Sequence, residues 1–172
     1  MIHIDNYDPF KTAIKRNYLS RPMKELLKRD LLKGDILNYG CGFAEDNTYL
    51  WQEHNIQSWA YDKYNKDFKD DFLLEETYDT VTCFYVLNVI PDLNEHEEVI
   101  ELLRSIGKNV YIAVRSDIKA IRPTWKYDEK ALGYWTTSNT FQRFYDKEMI
   151  EKLIENVEYI VSNSEMKLFK LV

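Results

Sequence analysis

Asp35-Ile36-Leu37-Asn38-Tyr39-Gly40-Cys41-Gly42-Phe43-Ala44 is the stretch whose reading decides the fold. Asp35 to Tyr39 predicts a short strand, Gly40-Cys41-Gly42 a tight turn, and Glu45 to His54 a helix ending before Asn55. Glycines let the backbone turn sharply and let a ligand approach the main chain without meeting a Cβ. A glycine turn between strand and helix falls at the carboxyl end of the strand, where open α/β sheets bind ligands.

The same rhythm extends outward. Gln57 to Tyr61 predicts a second strand ending at Asp62, and residues 63–71 a polar loop. Asp71 to Leu74 predicts a short third strand, and Tyr78 to Tyr85, rich in β-branched and aromatic residues, the strongest strand of all. Pro91-Asp92 opens a helix in which Asp92 and Glu95 resemble a capping box, with Val99, Leu102, Leu103 and Ile106 on one face. Gly107 closes it, and Asn109 to Val114 predicts a buried strand. Upstream, residues 20–32 predict a helix capped by Ser20, with Pro22 in its first turn and Met23, Leu26, Leu27 and Leu31 as its apolar stripe, stopped by Gly34. Downstream, residues 115–145 break the pattern with Trp125, Tyr127, Tyr134, Trp135, Phe141, Phe144 and Tyr145 among basic residues. Asp146 starts a last helix, and strands near 157–162 and 165–171 flank the turn Ser162-Asn163-Ser164. Strand alternating with helix implies a three-layer, Rossmann-like α/β fold on a mostly parallel sheet.

Composition narrows the class. A chain of 172 residues fits one domain and one core. Aromatic residues reach 15%, with 13 Tyr and 4 Trp, which serve a core and its rim and also suit stacking on flat ligands. No apolar run approaches the roughly 20 residues of a membrane helix, and Met1 to Phe10 lacks the apolar region of a signal peptide. Cys41 and Cys83 have no metal-type spacing, and His3, His54 and His96 are scattered, so neither a metal site nor a disulfide framework is expected. A reducing cytoplasm is the expected location. The net charge of −6 is segregated: residues 11–33 hold eight bases against two acids, residues 34–108 sixteen acids against five bases, and residues 115–147 seven bases against four acids. Such blocks serve as solvated faces, or converge to attract an anion.

Asp62 lies 20 residues after Gly42, where an acid can accept the hydroxyls of an adenosine ribose. Asp71 can accept from an adenine amino group, with Phe72 packing on the ring. Leu37 to Ala44 resembles the first motif of class I S-adenosylmethionine-dependent methyltransferases. Asp62 resembles their ribose-binding acid, and Tyr78-Asp79-Thr80-Val81 through Asn88-Val89-Ile90-Pro91 their fourth-strand motif.

The resemblance spans nearly the whole chain. It implies a seven-stranded, mostly parallel sheet with an antiparallel closing strand. It divides residues 1–172 into an N-terminal helical cap (1–33), a cofactor-binding half (34–114), a substrate-side insertion (115–145), and a closing helix and strands (146–172). It implies a cofactor site of Asn38, Tyr39, Gly40, Gly42, Asp46, Asp62, Lys63, Asp71, Phe72 and Phe84, with Phe84 and Tyr85 facing the transferred methyl group. Asn38 stands where an Asp is usual, Ala44 replaces a third glycine, and Phe43 is bulky for the turn. A narrower likeness rests on Lys11 to Ile14, Arg16, Leu19 to Pro22, the glycine turn, Phe84 to Ile90, and Thr140 to Tyr145. These resemble methyltransferases associated with DNA phosphorothioation systems.

Methyl transfer from a sulfonium depends mainly on alignment, so no catalytic dyad is required. Tyr85 and Asn88 are the candidates for orienting an acceptor, each with a plain alternative as a core tyrosine or a helix-leading asparagine. Neither the Pro-Cys nucleophile of cytosine methylation nor the Asn/Asp-Pro-Pro-aromatic motif of amino methylation is present, and Cys83 reads as a core residue. Basic groups beside flat aromatics suit an anionic, stackable acceptor such as a nucleic acid or nucleotide, with Arg16, Arg115, Trp135, Gln142 and Arg143 as its expected contacts. A catalytically inactive cofactor-binding module, a small-molecule methyltransferase and a nicotinamide dehydrogenase are the competing readings. The closing strand pair and the lack of a second catalytic domain count against the last.

Overall fold

The computed structural model describes residues 7–172. Residues 1–6, with His3 and the start of the expected N-terminal cap, lie outside the described residues. The chain runs α1 (Arg21–Lys28), β1 (Ile36–Tyr39), α2 (Glu45–His54), β2 (Trp59–Tyr61), β3 (Tyr78–Phe84), α3 (Leu93–Ile106) and β4 (Gly107–Arg115). It continues through β5 (Lys126–Asp128), β6 (Gly133–Trp135), β7 (Phe141–Gln142), α4 (Lys147–Leu153), β8 (Val157–Ser162) and β9 (Met166–Leu171). The main sheet has six strands in the order β2-β1-β3-β4-β9-β8. The first four pair in parallel, and β9 runs antiparallel between β4 and β8.

Strand alternation divides the core. Leu37, Tyr39, Val81, Cys83, Ile112 and Val114 face α3 and α4 through Val99, Leu103, Ile106 and Ile150. On the other face, Leu26 of α1 packs on Tyr111, Ala113 and Leu168, and Met23 joins Leu50 of α2. Cys83 is fully buried, as a core residue would be.

Three expectations of local structure are corrected. Residues Asp71–Leu74 form a 3-10 turn rather than a strand, which leaves the main sheet at six strands instead of seven. The Asp70 side chain caps Phe72 N–H, and the Tyr61 hydroxyl draws Asp71 in, so no ladder forms. The first helix stops at Lys28 because Asp30 takes a left-handed conformation (φ 56°), although Leu31 still returns to bond Leu26. Asp92 caps Asn94 N–H, but Glu95 turns outward to Lys63 and Tyr64 instead of completing a capping box.

The insertion folds into a separate three-stranded antiparallel sheet, β5-β6-β7. The segment after it is bolted to the loop that follows β3. Arg143 N–H donates to Asn88 O at 2.7 Å, and Asn88 Nδ2 donates to Arg143 O. Behind this junction His96 Nε2 lies 2.7 Å from the Tyr145 hydroxyl, fully enclosed. Burial, helped by the Arg143 charge, lowers the His96 pKa from 6.5 to about 3. The unfolded chain therefore binds this proton where the native state does not, so stability rises with pH between about 3 and 6.5 and is lost on acidification through that window. Replacing His96 with Gln is expected to flatten this part of the stability profile, measured by urea unfolding at stepped pH. An unchanged slope would contradict the buried neutral imidazole.

Candidate active site

A cavity of about 1070 Å³ opens at the carboxyl ends of β1 and β3. Its floor is the glycine turn. Gly40 (φ 73°) lets the loop after β3 lie directly on the main chain: a Cβ there would sit 2.1 Å from Val86 Cγ2. Gly42 (φ 61°) instead leaves open space, where a Cβ would meet only Ala13 at 3.6 Å. The turn is thus closely packed on one side and open to the cavity on the other.

Asp62, at the end of β2, organises this floor. Its Oδ2 accepts from Gly42 N–H at 2.9 Å, and Oδ1 accepts from the N–H groups of Tyr64 (2.9 Å) and Asn65 (3.1 Å). A carboxylate offers about four acceptor positions, so one remains on Oδ2. Asn65 closes the loop by donating to Gly42 O at 2.7 Å. A smaller recess of about 260 Å³ continues past Tyr39 and Lys63 between Tyr61, Asp71, Leu74 and Leu102. Tyr39 and Tyr61 stack at 5.2 Å along it. Phe72, expected beside the ring of an adenine, is 76% exposed and lines neither space; Leu74 occupies that wall instead.

Residues 9–20 cross the cavity as a strap. Phe10 packs on Phe43 at 5.0 Å, and Lys15 sits over the same ring. Asp46, buried in the first turn of α2, accepts from Ser20 N–H and Ser20 Oγ, both at 2.6 Å, and lies 3.5 Å from Arg16. Asp46 therefore anchors the strap. Asn38 lines the cavity while bonding Asn47 Oδ1 and accepting from Thr82 Oγ1. Lys63 pairs with Glu95, which raises its pKa.

Phe84 and Tyr85 form the wall opposite the strap. Tyr85 holds a left-handed backbone conformation (φ 62°), a strained state of the kind that gathers at functional sites. Its hydroxyl reaches Met166 Sδ at 3.1 Å. Burial raises its pKa against the opposing pull of Arg21, Arg16 and Arg115, so the hydroxyl stays protonated. Each of those arginines has an acidic neighbour: Arg16 with Asp46, Arg21 with Glu165, and Arg115 with Asp117 through two bonds of 2.9 and 2.7 Å. Arg115 also donates to Gln142 Oε1 at 3.1 Å, and both residues line the cavity.

Three expected acceptor contacts lie elsewhere. Asn88 is enclosed, its amide consumed by Arg143 O and Arg115 N–H. Trp135 is buried against Ala131, Phe141 and Tyr7. The Arg143 guanidinium is wholly buried and donates to Ala131 O, Leu87 O, Pro91 O and the Tyr145 hydroxyl. None of the three lines the cavity; Asn88 and Arg143 hold the loop after β3 that forms part of its wall. Sequence reading missed Val86, Val89 and Ile90, hidden in an apolar run that reads as strand, and Phe10, Ile14, Ile118 and Met166, which only tertiary folding brings here.

Residues 12–161 match a family described as a methyltransferase domain. The chain belongs to this family. No curated protein sequence matches it significantly. Among solved structures, the methyltransferase domain is similar to a glycopeptide N-methyltransferase (TM-score 0.60, 11% identity, 87% of this chain and 94% of that one). It is also similar to a Burkholderia thailandensis didemethyltoxoflavin methyltransferase with bound substrate and S-adenosylhomocysteine (TM-score 0.61, 12% identity, 87% and 76%). A third is the Synechocystis magnesium protoporphyrin IX methyltransferase with bound S-adenosylhomocysteine (TM-score 0.52, 15% identity, 86% and 78%). At these identities the likeness establishes the fold. Among the described residues no helix is long and apolar enough to cross a membrane, and no cluster of His, Cys, Asp and Glu could hold a metal ion.

Proposed function

We propose that this domain transfers a methyl group from S-adenosylmethionine to a flat, nucleotide-like acceptor. The cofactor is that of the family and of the fold. The observation that carries its placement is the open floor at Gly42 beside an Asp62 carboxylate with one acceptor position left. In this reading Asp62 takes a ribose hydroxyl, and the recess by Tyr39, Asp71 and Leu74 takes the base. When bound, S-adenosylmethionine supplies an electrophilic methyl group on a sulfonium.

The chain's part is alignment and exclusion of water. The strap covers the floor, Val86, Val89 and Ile90 make an apolar side wall, and Tyr85 offers a donor to the acceptor. The cavity, about 1070 Å³, lies at the upper end of the range usual for ligand sites, about 300–1,000 Å³. The paired arginines leave little net charge inside, which favours an uncharged acceptor group at the reaction point. The reading fits the nucleic-acid modification systems, phosphorothioation among them, that the sequence resembles, and a protein with two buried free cysteines working in a reducing cytoplasm.

A second reading, a small free metabolite as acceptor, draws on the strap that narrows the entrance and on relatives of the fold named for small substrates. Transfer of labelled methyl from S-adenosylmethionine to single-stranded DNA, RNA, mononucleotides and a metabolite extract separates the two. Label in the polynucleotides or mononucleotides is expected. Label in metabolites alone would move the assignment to the second reading. Cofactor binding with no transfer to any acceptor would favour a binding module without catalysis.

A further inference from the structure

Gln142 is nine-tenths buried and yet lines the cavity. Close packing of the small sheet puts it there. Register sets Gln142 opposite Tyr134, and a Cβ on Gly133 would sit 2.3 Å from the Phe141 ring and 2.9 Å from Gln142 O. Phe141 turns into the apolar cluster with Ala131 and Trp135, so strand alternation turns Gln142 the other way, toward the cavity. Beside it, the end of β4 is pinned by its main chain. Arg115 N–H donates to Asn88 Oδ1 at 3.0 Å, and Arg115 O accepts from Tyr145 N–H at 2.7 Å.

The Arg115 side chain is held as firmly. Its Nε and Nη2 donate to Asp117 at 2.9 and 2.7 Å, it lies over the Phe144 ring at 4.9 Å, and Nη1 donates to Gln142 Oε1 at 3.1 Å. A guanidinium has donors and no acceptor, so it can meet only the oxygen of an amide. This contact fixes which way the Gln142 amide points: Oε1 toward Arg115 and Nε2 away from it. Nε2 has no hydrogen-bond partner among the described residues. The enclosed polar atoms without partners are Tyr7 Oη, Arg16 Nε and Tyr159 Oη, so Nε2 is not sealed off and keeps access to the cavity. Asp117 neutralises Arg115, so this wall offers the ligand an oriented amide rather than a charge.

We infer that Gln142 is a specificity-determining residue of the acceptor site, whose Nε2 reads a carbonyl oxygen or a bare ring nitrogen on the methyl acceptor. The inference rests on the reading of a flat acceptor in this cavity and narrows it to rings that present a hydrogen-bond acceptor along the edge facing β7. An amide free to turn would serve donors and acceptors alike. One held by Arg115 serves acceptors only. A ring that presents N–H on this edge sets hydrogen against hydrogen and leaves Nε2 desolvated without a partner.

The test is calorimetric titration of the full chain, with S-adenosylhomocysteine saturating the donor end, against uncharged flat probes. N-methylquinolone can only accept a hydrogen bond, indole can only donate one, and uridine carries carbonyls on a nucleoside. The parent protein is expected to bind the quinolone and uridine about tenfold more tightly than indole. Gln142→Glu keeps the shape and the bond from Arg115 but presents an oxygen to the cavity, so it is expected to reverse the order of quinolone and indole. Arg115→Lys puts a compact ammonium where the planar fork served Asp117 and Gln142 together, so the amide is free to turn and the two probes are expected to bind about equally. A parent protein that binds the quinolone no more tightly than indole, or that binds no probe, would overturn the inference. So would a folded Gln142→Glu protein that keeps the parent's order. Should that variant fail to fold, Arg115→Lys decides, and an undiminished preference for the quinolone in it would overturn the inference as well. If the quinolone behaves as expected and uridine does not bind, the role of Gln142 stands and the nucleotide-like acceptor is what fails.

Discussion

Arg143→Met lowers the stability of the domain by about 3–5 kcal/mol in urea unfolding, the largest loss expected of a single side chain here. Arg143 carries a buried charge with no carboxylate in ion-pair reach among the described residues. Its guanidinium donates to three carbonyls, those of Ala131, Leu87 and Pro91, and to the Tyr145 hydroxyl, and it lies over the rings of Phe141 and Tyr145. Methionine fills similar volume but leaves the Ala131 and Pro91 carbonyls without this donor, while Leu87 O keeps the Tyr145 hydroxyl, and each enclosed unsatisfied group costs about 1–3 kcal/mol. Lysine is expected to recover only part of the loss, because a single ammonium cannot span the planar fork. The loop it holds presents Val86, Val89 and Ile90 to the cavity, so the variant's affinity for S-adenosylhomocysteine also falls. A change below about 1 kcal/mol, ordinary for a surface site, would contradict the role.

The second large effect is at Asp62. Asp62→Ala removes the acceptor of three backbone N–H groups as well as the position assigned to the ribose. It is expected to lower both stability, by about 2–4 kcal/mol, and cofactor affinity, by about a hundredfold or more. Asp62→Asn separates the two contributions. Its carbonyl can still serve Tyr64 and Asn65, while its amide faces Gly42 N–H and offers no acceptor to a ribose. A stability loss smaller than that of Asp62→Ala, from the one Gly42 N–H left without an acceptor, with strongly reduced affinity is expected, measured by unfolding and calorimetry. Affinity equal to the parent's in both variants would show that the ribose site lies elsewhere.

These two residues also mark how far the sequence could be read. The glycine turn, α2 and β3 are legible because their signals are local: glycines at the turn, a helix of fixed bounds, and a run of β-branched residues. Asp62 is legible as a polar end of β2, but its three backbone bonds depend on how the loop 62–65 folds back. Arg143 and Trp135 read as surface contacts because basic and aromatic residues usually are, and only the packing of the insertion against the loop after β3 buries them. Phe72 reads as a ligand contact by position, yet the 3-10 turn in place of a strand rotates it into solvent. The strap was visible as a basic segment. Its contacts with Phe43, Glu45 and Asp46 join residues about thirty positions apart and leave no local trace.

The central claim is that the cavity over the glycine turn is a cofactor site. Calorimetric titration of the purified protein with S-adenosylhomocysteine tests it most directly. One saturable site of micromolar affinity is the result this account expects. A folded protein that gives no saturable binding would contradict it.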